Sequence, residues 1–379
     1  MNRSKAQSCG RLYMPRVVIS GYYGFDNIGD EAVLHAMLQA LRAAVPGLEA
    51  TVLSKDPVCT ARQFSVRSVL RDNLGQVWRA LREADLLISG GGGLLQDVTG
   101  PKSIIYYLSI VAMARLLGRP VFFYAQGIGP VHTALGKNMV RIVANRVDAI
   151  TVRDTDSREE LTALGVTRPA IEVTADPVLG LDPAQIDIAR GKEILSSLGL
   201  GSGPVAGISV RPWKNAKGYL EVLARGADDL AALGWQVLLV PMHRNVDLDC
   251  CREVAARMSE PAFLLEKSAD YMDILALTAN LDLAIGMRLH FLIFSSLFGV
   301  PLVGIPYDPK VNRFLQSVGL PPGLSAEQLD YKELSARLTQ VLAERAKLGS
   351  QLRERVAPLQ KEALKNAELA AELLRGCGV

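Results

Sequence analysis

Short runs rich in β-branched and aromatic residues alternate with longer stretches of helical periodicity along most of this chain, and that alternation restricts it to parallel sheets built from βαβ units. In the first half, strands are expected at RVVISG (16–21), ATVLS (50–54), ADLLISGG (84–91), VFFYAQG (121–127), AITVRD (149–154) and IEVTAD (171–176). In the second half, VAGISVRP, WQVLLVPMH, LDLAIGMRLH and PLVGIPYD repeat the scheme. Between the first two strands Val33, Leu34, Met37, Leu38, Leu41 and Val45 recur at helical spacing, so the first helix is expected to start near Asp30. Further helices are expected near 215–233, 247–258, 270–279, 290–298 and 310–318. The stretch from Asp176 to Pro204 holds three prolines and several glycines and reads as a boundary close to 180. The expectation is two doubly wound α/β domains, 1–180 and 181–325, followed by a strandless helical tail, 326–379, packed across them.

Bulk composition narrows the function. With 42 Lys and Arg against 39 Asp and Glu the formal charge is +3, too balanced to advertise nucleic acid or a strongly anionic membrane surface, so any concentration of charge must be local. The five cysteines, Cys9, Cys59, Cys250, Cys251 and Cys377, have no CxxC spacing, and the first residues lack the apolar core of a signal peptide. A cytoplasmic location is the expectation. The longest uncharged apolar run, SIIYYLSIVAMA (103–114), is too short to span a bilayer and reads as a buried helix.

Ligands of open parallel sheets sit beyond the carboxyl ends of the strands, which turns the pattern into a site prediction. After VVIS comes GYYGFDNIGDE with Gly29 and Asp30; Arg153 follows AITV, Arg211 follows GISV, Arg288 and His290 follow LAIGM, and Lys310 follows GIPYDP. Four cations, a histidine and an acid thus converge on one crevice, which suits a small ligand carrying more than one negative charge. The glycines would let the backbone approach it, and N–H groups at the helix start would add an anion site.

The ordered set GYYGFDNIGDE, SGGGGLLQD, QGIGP, VRDTDS, ISVRPW, GMRLHFLI and YDPKV resembles the polysaccharide pyruvyl transferases, closest to the CsaB branch that decorates secondary cell-wall polymers. The resemblance runs from about residue 17 to 318. It implies a GT-B-like fold of two Rossmann-like domains facing a cleft, and transfer of an enolpyruvyl unit from phosphoenolpyruvate to a sugar as a pyruvate ketal. Phosphoenolpyruvate is then a co-substrate, and no metal or other cofactor is implied. By the family pattern Asp30 and His290 are the acid and base, while Arg153, Arg211, Arg288, Lys310 and Gly29 bind the donor. The implied acceptor is N-acetylmannosamine of a lipid-linked polymer, in a pathway that anchors S-layers, which would bring a cytoplasmic enzyme to the inner face of the membrane.

Two other functions share the expected fold: a glycosyltransferase using a nucleotide sugar, and a non-catalytic sensor. No aromatic and acidic pair for a base and ribose is evident, and a sensor needs no acid, base and four cations together. Some residues have plainer readings. Asp26 and Asn27 suit a turn or cap, and Asp30 itself is a residue type common at helix starts. An aspartate there should also have a lowered pKa, which suits an anion better than an acid. GGGGLLQD reads as close backbone packing, His35 and His132 as surface residues, and Cys250 and Cys251 as packing. His243 and Trp213 are equally open to acceptor contact and to structural roles.

Overall fold

The computed structural model describes residues 14–97 and 102–376; Cys9, Cys377 and residues 1–13 lie outside the described residues. Among the described residues twelve strands form two wholly parallel sheets. The first comprises β1 (Arg16–Tyr23), β2 (Glu49–Ser54), β3 (Arg67–Leu70), β4 (Leu86–Leu95), β5 (Val121–Ile128), β6 (Ala149–Val152) and β7 (Ile171–Val173), in the order β3-β2-β1-β4-β5-β6-β7. The second comprises β8 (Val205–Ser209), β9 (Gln236–Leu239), β10 (Phe263–Leu264), β11 (Leu283–Gly286) and β12 (Leu302–Gly304), in the order β10-β9-β8-β11-β12. Central strands are buried on both faces, so they read as continuous apolar runs: β5 is buried along its whole length. In each sheet the strand order reverses at one point, between β1 and β4 and between β8 and β11. Crevices open at such points.

All ten expected strands are present, and β3 and β10 are additional. Both are edge strands, of four and two residues, half-exposed or nearly so, and too short to show a period. The first helix, α1, spans Ile28–Ala44, with Asn27 as its cap. The run 103–114 lies in the helix Lys102–Leu116, but that helix is not buried all round: Ile105 and Leu116 are 39% and 80% exposed. An apolar helix without a polar stripe need not have two covered faces, and this one has water on one.

A continuous core joins the two halves. It packs Met37 and Leu38 of α1 with Ile274 and Leu275 of the Tyr271–Thr278 helix, Phe291 and Phe294 of the Leu289–Leu297 helix, and Ala367 and Ala370 of the tail. The tail is a helix over Tyr331–Ala343 followed by one over Arg345–Gly376. The second crosses from one half to the other. Arg355 donates to the carbonyl of Val318 at 3.2 Å, and further along Asn366 Oδ1 accepts from Thr151 and Thr174 at 2.5 and 3.0 Å. Across the cleft itself, Ile28 N–H donates to the Met242 carbonyl at 3.1 Å, and the Tyr271 hydroxyl meets His35 Nδ1 at 3.1 Å. His35, expected on a polar surface, is a contact between the halves.

Glu31 fastens the turn between β1 and α1 by accepting the Gly24 N–H at 2.8 Å. Burial pushes its carboxyl up from 4.5 to about 7, against the hydrogen bond from Gly24. The folded state then holds more protons than the unfolded chain between those values, so this group's contribution to stability is full below about pH 4.5 and is lost as the pH rises to about 7. The loss is on the order of 3 kcal/mol. Glu31→Gln keeps an accepting oxygen and cannot ionise, so its melting temperature should fall less than that of the wild type between pH 5 and pH 8; parallel curves would contradict the assignment.

Candidate active site

Gly29, Asp30, Arg153, Arg211, Arg288, His290 and Lys310 all line one cavity of about 370 Å³, with walls from both sheets. The β1 turn and the start of α1 supply the first two. Asp26 adopts a left-handed φ of 57° and Asn27 caps the helix, its Oδ1 accepting the Gly29 N–H at 3.2 Å. That N–H is therefore satisfied by Asn27 rather than open to an anion. What Gly29 provides is space: a Cβ there would run into the His290 ring. Gly92, at φ 82°, serves Asp30 in the same way, since a Cβ would stand 2.9 Å from Asp30 Oδ1. The GGGG segment is thus a close-packing device, as expected.

Burial raises the Asp30 carboxyl above its ordinary pKa, and the charges of His290, Lys310 and Arg153 only partly oppose this. Desolvation outweighs the helix-start effect expected from sequence. Asp30 is thereby suited to carry a proton.

His290 lies in the first turn of the Leu289–Leu297 helix, beyond β11. Its Nε2 faces Asp176 Oδ2 at 3.6 Å, and its Nδ1 abuts Gly29. Asp176 is 4% exposed. Burial alone would raise its pKa, but His290, Arg153 and the Val178 N–H outweigh that and bring it down to about 2. It is an anion under all ordinary conditions.

The cations are less free than the sequence suggests, because carboxylates hold most of them. Arg288 Nε and Nη2 meet Asp247 Oδ2 and Oδ1 at 2.9 and 2.5 Å, and Asp247 is wholly buried. Arg153 Nη1 lies 3.2 Å from Asp176, its guanidinium against Gly127, where a Cβ would come within 2.5 Å. Lys310 Nζ is 3.6 Å from Asp308. Arg211 instead donates to the Tyr307 hydroxyl at 2.8 Å, and among the described residues its buried Nε has no hydrogen-bond partner. Burial raises the Tyr307 phenol, yet Lys310, Arg211 and Arg288 together bring it below its ordinary value.

Several lining residues went unseen in the sequence: Tyr22, Tyr107, Tyr307 and Arg313. Arg313 was legible in part, being one turn after Lys310, and it is held by Asp156 at 2.9 Å and by the Ile128 carbonyl at 3.0 Å. Trp213 lines the cavity beside Tyr307 and donates to Glu327 at 3.1 Å. His243 is not among the lining residues; its backbone bridges to Asn27 and its N–H donates to Asp247 at 2.9 Å. Cys250 and Cys251 are packed in the core behind the second sheet. Among the described residues no three His, Cys, Asp or Glu side chains gather as a metal ion would require.

Two Rossmann-like domains facing a polar, cation-lined cleft define a GT-B-like fold. Solved structures show the same fold at low identity. One is HepE from Anabaena in complex with UDP-glucose, at TM-score 0.64 and 14% identity, covering 96% of this chain and 100% of that one in its complex with UDP and glucose. Another is UDP-GlcNAc 2-epimerase from Neisseria meningitidis bound to UDP-GlcNAc, at TM-score 0.65 and 11% identity, covering 95% of this chain and 100% of that one. The polysaccharide pyruvyl transferase family matches residues 27–309, well over half of the chain, and the protein belongs to that family and is a pyruvyltransferase. It is also 24% identical over 322 residues to the amylovoran biosynthesis protein AmsJ of Erwinia amylovora, covering 80% of this chain and 76% of that one.

The placement of Asp176 generates a test. Asp176→Asn removes the charge that orients His290 while keeping the shape, so turnover should fall by roughly 10- to 100-fold with donor affinity within a few fold. Because Asn also leaves Arg153 without its buried partner, the melting temperature is measured alongside. Unchanged turnover would remove Asp176 from the site.

Proposed function

We propose that the enzyme transfers the enolpyruvyl group of phosphoenolpyruvate to a sugar of a lipid-linked secondary cell-wall polymer, N-acetylmannosamine in the CsaB-like reading, forming a pyruvate ketal and releasing phosphate. The observation that carries it is the meeting, in one cavity, of a partly buried carboxyl whose pKa is raised by desolvation with a histidine whose Nε2 lies 3.6 Å from a buried carboxylate. Neither is asked for by nucleotide-sugar binding alone. The polysaccharide acceptor is supported by family membership and by the relative named for amylovoran biosynthesis. The choice of polymer rests on the seven ordered motifs and places the enzyme at the inner membrane face, in S-layer anchoring.

In this reading Arg211, the one of these four cations without a carboxylate partner among the described residues, and Lys310 take the donor's phosphate or carboxylate, while Arg288 offers its remaining Nη1 and Arg153 chiefly positions Asp176. Asp30 protonates the methylene carbon of phosphoenolpyruvate, which becomes the methyl group and leaves C2 cationic. In the tautomer with the proton on Nε2, the nitrogen nearer Asp176, His290 Nδ1 has a free lone pair, and it takes the proton of the acceptor hydroxyl as that oxygen bonds to C2. Phosphate then leaves with its C–O electron pair and the proton held by His290, and as a second hydroxyl of the same sugar adds to C2 its proton goes to the Asp30 carboxylate, which restores both groups. One solvent-derived hydrogen ends in the methyl group.

Arg211→Ala should weaken phosphoenolpyruvate binding roughly 10- to 100-fold by calorimetry, the loss of one charge-assisted contact of about 1.5 to 3 kcal/mol. Stability should be little changed, since no buried carboxylate loses its partner. Arg288→Ala should lose both affinity and stability, because Asp247 is left buried and uncompensated. Equal donor affinity in Arg211→Ala would reject the donor site as drawn.

Reaction in heavy water tests the chemistry itself. The product methyl group should carry one solvent deuterium, and Asp30→Asn should bind the donor yet lose roughly 100-fold or more in rate. A methyl group without deuterium would reject the addition mechanism, and turnover of a nucleotide sugar in its place would establish a glycosyltransferase. An active Asp30→Asn enzyme would reduce Asp30 to a helix-start residue.

A further inference from the structure

One face of the first sheet differs from the surface elsewhere. Its helices Leu74–Glu83, Lys102–Leu116 and Ala134–Ala144 follow β3, β4 and β5, and right-handed crossovers place them side by side, opposite α1. Their inner residues, such as Val77, Ile104 and Val140, fill the core beneath. Outward they present Leu74, Trp78, Ile105, Leu116, Leu135 and Ile142, each between 39% and 80% exposed. These are six of the thirteen large apolar side chains exposed among the described residues, two on each helix.

The charge on this face is as uneven. Arg79, Arg82, Lys102, Arg115, Lys137 and Arg141 are exposed on the three helices, and Glu83 is the one acid within them. Arg115 is paired with Asp148 beyond the third helix. The next helix, Thr155–Ala163, reverses the sign with Asp156, Glu159 and Glu160 against Arg158, which bounds the patch. In a chain of formal charge +3 this is a strong local concentration.

Interleaved cations and apolar side chains suit anionic headgroups and the acyl boundary below them, with Trp78 at headgroup level. No helix among the described residues is long and apolar enough to cross a membrane, so contact through this face is superficial and reversible. The position of the face adds a reason for it. Ser103 and Tyr107 of the middle helix line the candidate active-site cavity, while Ile105 between them points outward.

We propose that this three-helix face docks the enzyme on an anionic lipid bilayer and so holds the mouth of the cavity at the depth where the saccharide of a lipid-linked acceptor emerges. The second clause rests on the acceptor reading given above; the docking does not. Full-length protein is mixed with phosphatidylcholine vesicles with and without phosphatidylglycerol and sedimented. The wild type should bind the anionic vesicles, less so as salt rises, and not the neutral ones. At roughly fivefold per basic residue, Arg79→Glu with Lys137→Glu should lower affinity at least about twentyfold. Leu74→Ser with Trp78→Ser and Ile142→Ser should abolish what binding persists at high salt. All these side chains are exposed, so melting temperatures and turnover of a water-soluble acceptor should stay at wild-type values. Absence of wild-type binding, equal binding to both vesicle types, or binding unaffected by the charge reversals would overturn the proposal, as would capture of RNA or protein by this face in place of vesicles. Protein that turns over a soluble acceptor and ignores vesicles refutes the docking alone; protein that binds vesicles and transfers no pyruvyl group refutes the reaction alone.

Discussion

A carboxyl group removed from water must be paired or it destabilises the fold, and two buried aspartates organise this cleft. Asp247, wholly buried, takes Arg288 on two oxygens, and Asp176, 4% exposed, takes Arg153 and faces His290. Each pair joins residues from different elements, and the contact between Asp176 and His290 joins the two halves of the molecule. Because their carboxylate partners are buried, Arg288 and Arg153 are held in place before any ligand arrives. Charges fixed in advance in a site of low dielectric interact strongly with an incoming anion and need little reorganisation when it reacts.

The glycines follow from the same crowding. Three side chains that the site needs close to backbone, His290, Asp30 and Arg153, lie where a Cβ on Gly29, Gly92 or Gly127 would stand. At Gly92 the left-handed φ of 82° adds a conformational reason. The glycine-rich turn was legible as a place of close approach. The approach, though, is of the protein to itself: Gly29 has its N–H capped by Asn27 and its α-carbon against an imidazole.

Much of the fold was legible because parallel strands buried on both faces must be apolar throughout, and the helices between them must be striped. The edge strands β3 and β10 escaped because their burial is partial and their length too small for a pattern. The helix expected at 103–114 is present and buries one face, with Ile104, Leu108 and Val111, but not the other, because an apolar side chain states what water disfavours, not whether the fold covers it. Ile105 and Leu116 remain exposed on a face where the neighbouring helices also show apolar residues and cations.

The sequence by itself determined the α/β class, the order of strands and helices, and the residues at the carboxyl ends of the strands, because these depend on periodicity and chain direction alone. It placed Asp30, Arg153, Arg211, Arg288, His290 and Lys310 around one crevice, since parallel strands deliver their following residues to the same edge. Only the tertiary structure decided their chemical state. Asp247 lies 41 residues from Arg288 and Tyr307 lies 96 from Arg211, separations that carry no local signal. The sequence reading lowered the pKa of Asp30 because it sees a helix start; the fold raises it because desolvation depends on every atom packed around the carboxyl, which is a property of three-dimensional enclosure and not of neighbours along the chain.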